Sequence, residues 1–172
     1  MLKIIGIDPG LAATGIGIVL GKGLKIAGFS YGAINTSKDF SLSNRLNQIF
    51  SKIQRVLEAE KPDLMIMEDI FLLEKYPKAA ISLGKVCGVI MLAAEQTGIS
   101  ILEVPVREAK QVLTGNGNAS KEQLEKSVRH TLQIKNPIRP FHSSDALGLA
   151  LIGLFRYGKK NISNNIIAGT KP

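Results

Sequence analysis

The stretch Lys3-Ile4-Ile5-Gly6-Ile7-Asp8-Pro9-Gly10 constrains the fold more than any other part of the chain. A nearly continuous β-branched run reads as a strand covered on both faces, the pattern of a central strand in an α/β protein. Pro9-Gly10 ends it with a turn. Asp8 therefore stands at the end of a stiff element among apolar neighbours, where a charge is costly unless it is paired or binds a metal. Two readings are open: a turn cap through its own backbone, or a functional carboxylate. Lys61-Pro62-Asp63-Leu64-Met65-Ile66-Met67-Glu68 repeats the pattern, and Asp69 follows. Two strands that each deliver an acid at the C-terminal end suggest a shared site, because sites in open α/β sheets form there.

The other periodicities fill in around these two strands. Thr14–Leu20 alternates glycine with Ile and Val and reads as a second strand, Gly21-Lys22-Gly23 as a turn, and Leu24–Asn35 as a third strand. Phe40–Ala59 has helical apolar spacing. Leu64–Met67 is a buried fourth strand, and Pro77–Gln96 a helix whose small residues Gly84, Cys87, Gly88 and Ala94 admit a close neighbour, either the sheet or a second subunit. Ile99–Val104 is a fifth strand, and Pro105 is expected at the first position of a short helix. Ser120 to Gln123 forms a capping box for a helix to Gln133. Ser143 or Ser144 is expected to cap a last helix that runs to about Tyr157. The order βββαβαβααα implies a mixed α/β sheet of five strands, an antiparallel meander followed by parallel strands, flanked by helices. The expected organisation is a single domain over residues 1–157 and a flexible basic tail over 158–172.

Composition narrows the function. A net charge of +8 favours a polyanionic partner. No apolar run reaches the roughly 18 residues of a membrane span, and the start carries no signal-peptide pattern. The one cysteine, Cys87, reads as a small core hydrophobe. Together these point to the cytoplasm. His142 and Asp145, three apart at a helix start, can face one way. Asp145 could merely complement the helix dipole, and His142 could merely pack. With Asp8 and Glu68 they make an oxygen-rich donor set with one imidazole, suited to Mg²⁺ or Mn²⁺. Two such ions can activate water and stabilise a leaving oxygen in phosphodiester hydrolysis. A basic chain carrying such a cluster makes chemical sense as a nuclease.

Gly6-Ile7-Asp8-Pro9-Gly10, Glu68-Asp69-Ile70-Phe71, Ser82-Leu83-Gly84, Lys110-Gln111, Gly115-Asn116-Gly117 and Asp145-Ala146-Leu147 fall in an order that resembles the RuvC family of Holliday junction resolvases, in the RNase H-like superfamily. The resemblance covers residues 1 to about 157. It implies a homodimeric endodeoxyribonuclease that nicks opposed strands of a four-way junction. It implies two Mg²⁺ per subunit at Asp8, Glu68, Asp145 and His142, with Mn²⁺ able to substitute. Phe71 would press into the junction, and Lys110 and Lys121 would contact DNA; Arg107 would join them in a phosphate track if these basic residues line one face. The helix around residues 78–96 would form the dimer contact, and branch-migration proteins of the RuvA/RuvB type would be partners. The competing readings are a related nuclease of ribosomal RNA, similar to YqgF, an actin-like nucleotide-binding fragment, for which the chain is short, and a junction-binding protein that does not cut.

Overall fold

The computed structural model describes residues 1–69 and 77–157. Its elements are β1 (Leu2–Asp8), β2 (Ala13–Lys22), β3 (Lys25–Asn35), α1 (Leu42–Glu60), β4 (Leu64–Glu68), α2 (Pro77–Gln96), β5 (Ile101–Val104), α3 (Val106–Thr114), α4 (Lys121–Thr131) and α5 (Phe141–Ile152), ending in a π-helical turn over Gly153–Tyr157. The five strands lie in the order β3-β2-β1-β4-β5. β1–β2 and β2–β3 are antiparallel, while β1–β4 and β4–β5 are parallel. The expected meander and parallel half are both present, with β1 at the junction between them.

β1 is buried on both faces, and its side chains divide by parity. Ile5 and Ile7 pack with Met65, Met67, Ile49, Ile53 and Leu57 beneath α1 and α2. Ile4 packs with Leu64, Ile66, Leu124, Leu147 and Leu151 beneath α4 and α5. Burial of such branched side chains contributes about 1.5–3 kcal/mol each. Two glycines let α5 sit directly on the sheet. A Cβ at Gly6 would lie 2.0 Å from the Ala146 carbonyl oxygen, and one at Gly15 2.0 Å from that of His142. Nothing larger fits, because both obstacles are backbone.

Several boundaries differ from expectation. β2 runs on through Lys22, with a register shift at Leu20/Gly21, so the turn falls later. β5 begins at Ile101, and α4 ends at Thr131, just before Gln133, whose φ of 56° is left-handed. Pro105 is the N-cap of α3, not its first helical residue. The N-cap of α5 is Pro140, and Ser143 and Ser144 lie inside the helix. Their hydroxyls bond elsewhere: Ser143 Oγ donates to the Gly32 carbonyl at 2.9 Å and Ser144 Oγ to that of Phe141 at 2.8 Å. α5 proper stops at Ile152. The capping box at Ser120 and Gln123 forms as expected. The tail expected over 158–172 and the Phe71 loop lie outside the described residues.

α2 corrects the statement about membrane spans. Lys78–Gln96 is long and apolar enough to cross a membrane by length and composition, with a mean hydropathy of 1.3. Its Val86, Cys87, Ile90, Ala93 and Ala94 are nevertheless buried in the core below α1, and Lys85 and Glu95 interrupt its outer face. That division is what a core helix with one uncovered stripe produces.

Candidate active site

The register of the sheet brings the two strand-end acids together. Ile7 pairs with Met67 in the parallel β1–β4 ladder, so the next residues, Asp8 and Glu68, end adjacent strands side by side. Asp8 shares its face with Ile4 and Gly6, and Glu68 shares its face with Leu64 and Ile66. Both therefore project toward α5. The first turn of that helix delivers His142 and Asp145 to the same place. His142 Nδ1 lies 2.5 Å from Asp8 Oδ2, and the Asp8 charge acts on Glu68 at the end of the adjacent strand. Lys121, the first residue of α4, places Nζ 3.4 Å from Asp145 Oδ2.

Electrostatics mark this cluster as strained by its own charge. Burial, then the neighbouring Asp8, pushes the Glu68 carboxyl up to about 8. Burial and the Asp8 charge also raise Asp145, against the pull of Lys121. The hydrogen bond to Asp8 raises the His142 imidazole, opposed by partial burial. Crowded carboxylates in low dielectric cannot all ionise without a counter-charge. Cys87, whose thiol burial pushes up to about 12, takes no part and is a core group as expected.

A divalent cation fits this donor set. Among the described residues, no three of these groups already surround a common point in ligand geometry. Two of them are paired with other side chains instead, Asp8 with His142 and Asp145 with Lys121. The fit rests on Asp145, whose Oδ1 is buried without a hydrogen-bond partner. A buried carboxylate oxygen is seldom left unpaired, and hard oxygen donors of this kind suit Mg²⁺ or Mn²⁺.

The family profile described as Crossover junction endodeoxyribonuclease RuvC matches residues 4–153. The chain belongs to the RuvC family. RuvC of Carboxydothermus hydrogenoformans is 38% identical over 157 residues, covering 91% of this chain and 98% of the relative. RuvC of Brevibacillus brevis is 37% identical, covering 87% and 90%. Thermus thermophilus RuvC, solved in complex with a Holliday junction substrate, superposes with a TM-score of 0.83 at 29% identity, covering 92% of this chain and 96% of that one. The sheet order and the flanking helices are thus those of an RNase H-like RuvC fold.

Of the residues expected in this RuvC site, the structure gathers Asp8, Glu68, His142, Asp145 and Lys121. Arg107 and Lys110 stay on α3. Arg107 packs its stem over Gly117, where a Cβ would come within 2.9 Å of Arg107 Cγ. Phe71 lies outside the described residues. The sequence reading missed the work of Gln111: its Nε2 donates to the Gly115 carbonyl at 2.9 Å and its Oε1 accepts the Gly117 N–H at 3.0 Å. One side chain thereby holds the loop between α3 and α4. A glutamine four residues before a Gly-Asn-Gly turn was the available signal. The reading also passed over Arg139 and Phe141, whose guanidinium and ring stack 4.1 Å apart.

Proposed function

We propose that this chain resolves four-way DNA junctions by paired nicks in opposed strands, with Mg²⁺ held by Asp8, Glu68, His142 and Asp145, two ions per subunit. The carrying observation is that the first turn of α5 meets the ends of β1 and β4, where His142 Nδ1 lies 2.5 Å from Asp8 Oδ2 and the buried Asp145 Oδ1 has no hydrogen-bond partner. Family membership and the likeness to a RuvC seen on a Holliday junction supply the substrate.

Asp8, Glu68, His142 and Asp145 would hold the metal, which when bound would activate water and offset charge on the leaving oxygen. The residues of this chain do the rest. Asp8 and Glu68, at the ends of adjacent strands, would be oxygen donors to the metal. His142, which must be neutral to ligate, is oriented by Asp8. Lys121 moves from Asp145 to the phosphate. Arg107 and Lys110 on α3 track the backbone, and Phe71 would press into the junction centre, where stacking on a base is worth about 1–3 kcal/mol.

A second copy fits the two-fold character of the substrate. Ile81, Gly84, Lys85, Gly88 and Leu92 form one exposed stripe on α2, with Ile81 61% and Leu92 50% accessible. A Cβ at Gly84 or Gly88 would meet nothing within 4 Å, so a partner helix could approach closely there. The chain would act as a dimer in the cytoplasm, with residues 1–157 as the nuclease domain and branch-migration proteins delivering the junction.

The test is cleavage of four-way, duplex and RNA substrates with Mg²⁺. Asp8→Asn should bind the junction in Ca²⁺ but cut at least about a hundredfold more slowly, since each 1.36 kcal/mol is tenfold. Preference for RNA, or undiminished cutting by Asp8→Asn, would overturn the reading.

A further inference from the structure

Arg139 is exposed, yet its side chain is fixed at two points. Its guanidinium carbon stands 4.1 Å from the centroid of the Phe141 ring, and Nη1 donates to the Ile138 carbonyl at 3.0 Å. The backbone beneath is anchored as well. Ile138 is fully buried, and its N–H donates to the buried Glu125 Oε1 at 2.8 Å. An exposed arginine ordinarily keeps its rotamer freedom and gains little from holding one pose. Here a stack and a backbone carbonyl set the pose of a side chain that is exposed to solvent.

The location gives this a use. Phe141 is the first residue of α5 and directly precedes His142, so the stacked pair borders the carboxylate cluster. Glu122, at the start of α4, feels both Arg139 and Lys121. Its carboxyl is held below the ordinary range first by the Ser120 hydroxyl and then by these charges among others. Lys121 reaches the site, with Nζ 3.4 Å from Asp145 Oδ2, and the stack on Phe141, the neighbour of His142 on α5, sets Arg139 at the same helix start. A guanidinium fork matches a phosphate in two parallel hydrogen bonds, and phosphate contacts fix register on a nucleic acid.

We propose that Arg139, held by Phe141, binds a backbone phosphate of the strand entering the active site, beside the one to be cut. This rests on the proposed nuclease function and adds a phosphate subsite to it. Arg139 is a binding and positioning residue. It touches no reacting atom.

The experiment measures junction binding in Ca²⁺ against salt, steady-state cleavage and thermal melting, on the full chain and on three variants. Arg139→Ala should lower the magnitude of the salt slope by about one. It should raise KM for the junction, keep kcat and leave the melting temperature unchanged. Phe141→Leu, which keeps apolar bulk but removes the ring face, should raise KM in the same direction with the charge still present. Arg55→Ala, on α1 across the sheet, should alter none of these. An unchanged slope in Arg139→Ala, or a slope change that Arg55→Ala reproduces, refutes the subsite. If the unmodified protein binds and cuts junctions in that same series, the proposed function stands while the subsite falls. If the unmodified protein shows no salt-dependent junction binding, both fall.

Discussion

Neutralising Glu68 should stabilise the metal-free protein at alkaline pH and do nothing at acid pH. Glu68 has its carboxyl raised from 4.5 to about 8, first by burial and then by Asp8. The folded state therefore holds a proton that the unfolded chain releases. Below about 4.5 both states are protonated and there is no penalty. Between there and about 8 the unfolded state ionises alone, so stability falls as pH rises. Above 8 the penalty is complete. At 1.36 kcal/mol per unit, the shift sets a ceiling of about 5 kcal/mol. Glu68 is partly accessible, and its proton is shared with Asp8, so about half that figure is the expected size. For a domain of this length about 1 kcal/mol moves the melting temperature by about 2–4 °C. Glu68→Gln should therefore melt roughly 5–10 °C above the unmodified protein near pH 8.5 in chelator, and level with it near pH 4.5. Mg²⁺ should reverse the order at the higher pH, because ligand binding stabilises the native state by about 2.7 kcal/mol at a hundred times Kd, and the glutamine variant loses a ligand. Calorimetry across pH, with and without Mg²⁺, reads all of this. A Glu68→Gln effect of equal size at both pH values would show that the carboxyl carries no buried proton, and the account of the crowded site would fail.

His142→Ala should lose most of the cleavage. His142→Asp should keep much of it, shift preference from Mn²⁺ toward Mg²⁺, and keep cutting at acid pH. There the unmodified protein fades as its imidazole, raised by the bond to Asp8, takes up a proton. Unchanged rates for His142→Ala from about pH 6 to 9 would remove this residue from the chemistry. Gly6→Ala sets a methyl 2.0 Å from the Ala146 carbonyl oxygen. It should cost about 1–3 kcal/mol or more as α5 lifts, and lower melting temperature and cleavage together; normal melting would mean that α5 yields freely. Gly88→Leu should weaken self-association in light scattering and reduce paired nicking relative to single nicks. A monomeric unmodified protein that still nicks both strands would rule out the dimer.

The strand-end acids were legible because strand geometry is local. A β-branched run, a turn and a carboxylate between them fix where Asp8 and Glu68 stand, and parallel pairing of two buried runs makes them neighbours. The start of α5 was not legible in the same way. Two serines look like helix caps, but Ser143 finds its acceptor at Gly32, far away in sequence, and a proline takes the cap position. Arg139 and Phe141 drew no role because nothing in their spacing tells that the ring lies under the guanidinium. Gln111 was visible only as part of a motif, since its two bonds depend on how the Gly115–Gly117 loop closes. Residues 70–76, where Phe71 lies, fall outside the described residues.

The seating of α5 on Gly6 and Gly15 joins the eighth residue of the chain to the hundred-and-forty-second and hundred-and-forty-fifth. A growing polypeptide on the ribosome thus has Asp8 and Glu68 well before His142 and Asp145. The same helix supplies Leu147, Leu149, Leu151 and Ile152 to the core. One helix therefore contributes to both the core and the candidate site. A chain stopped before Phe141 should accordingly show no cooperative melting and no nicking of any DNA, even with Mg²⁺ in excess. Residual cutting by such a fragment would show that the first two carboxylates suffice and that α5 is not the piece that arms the site.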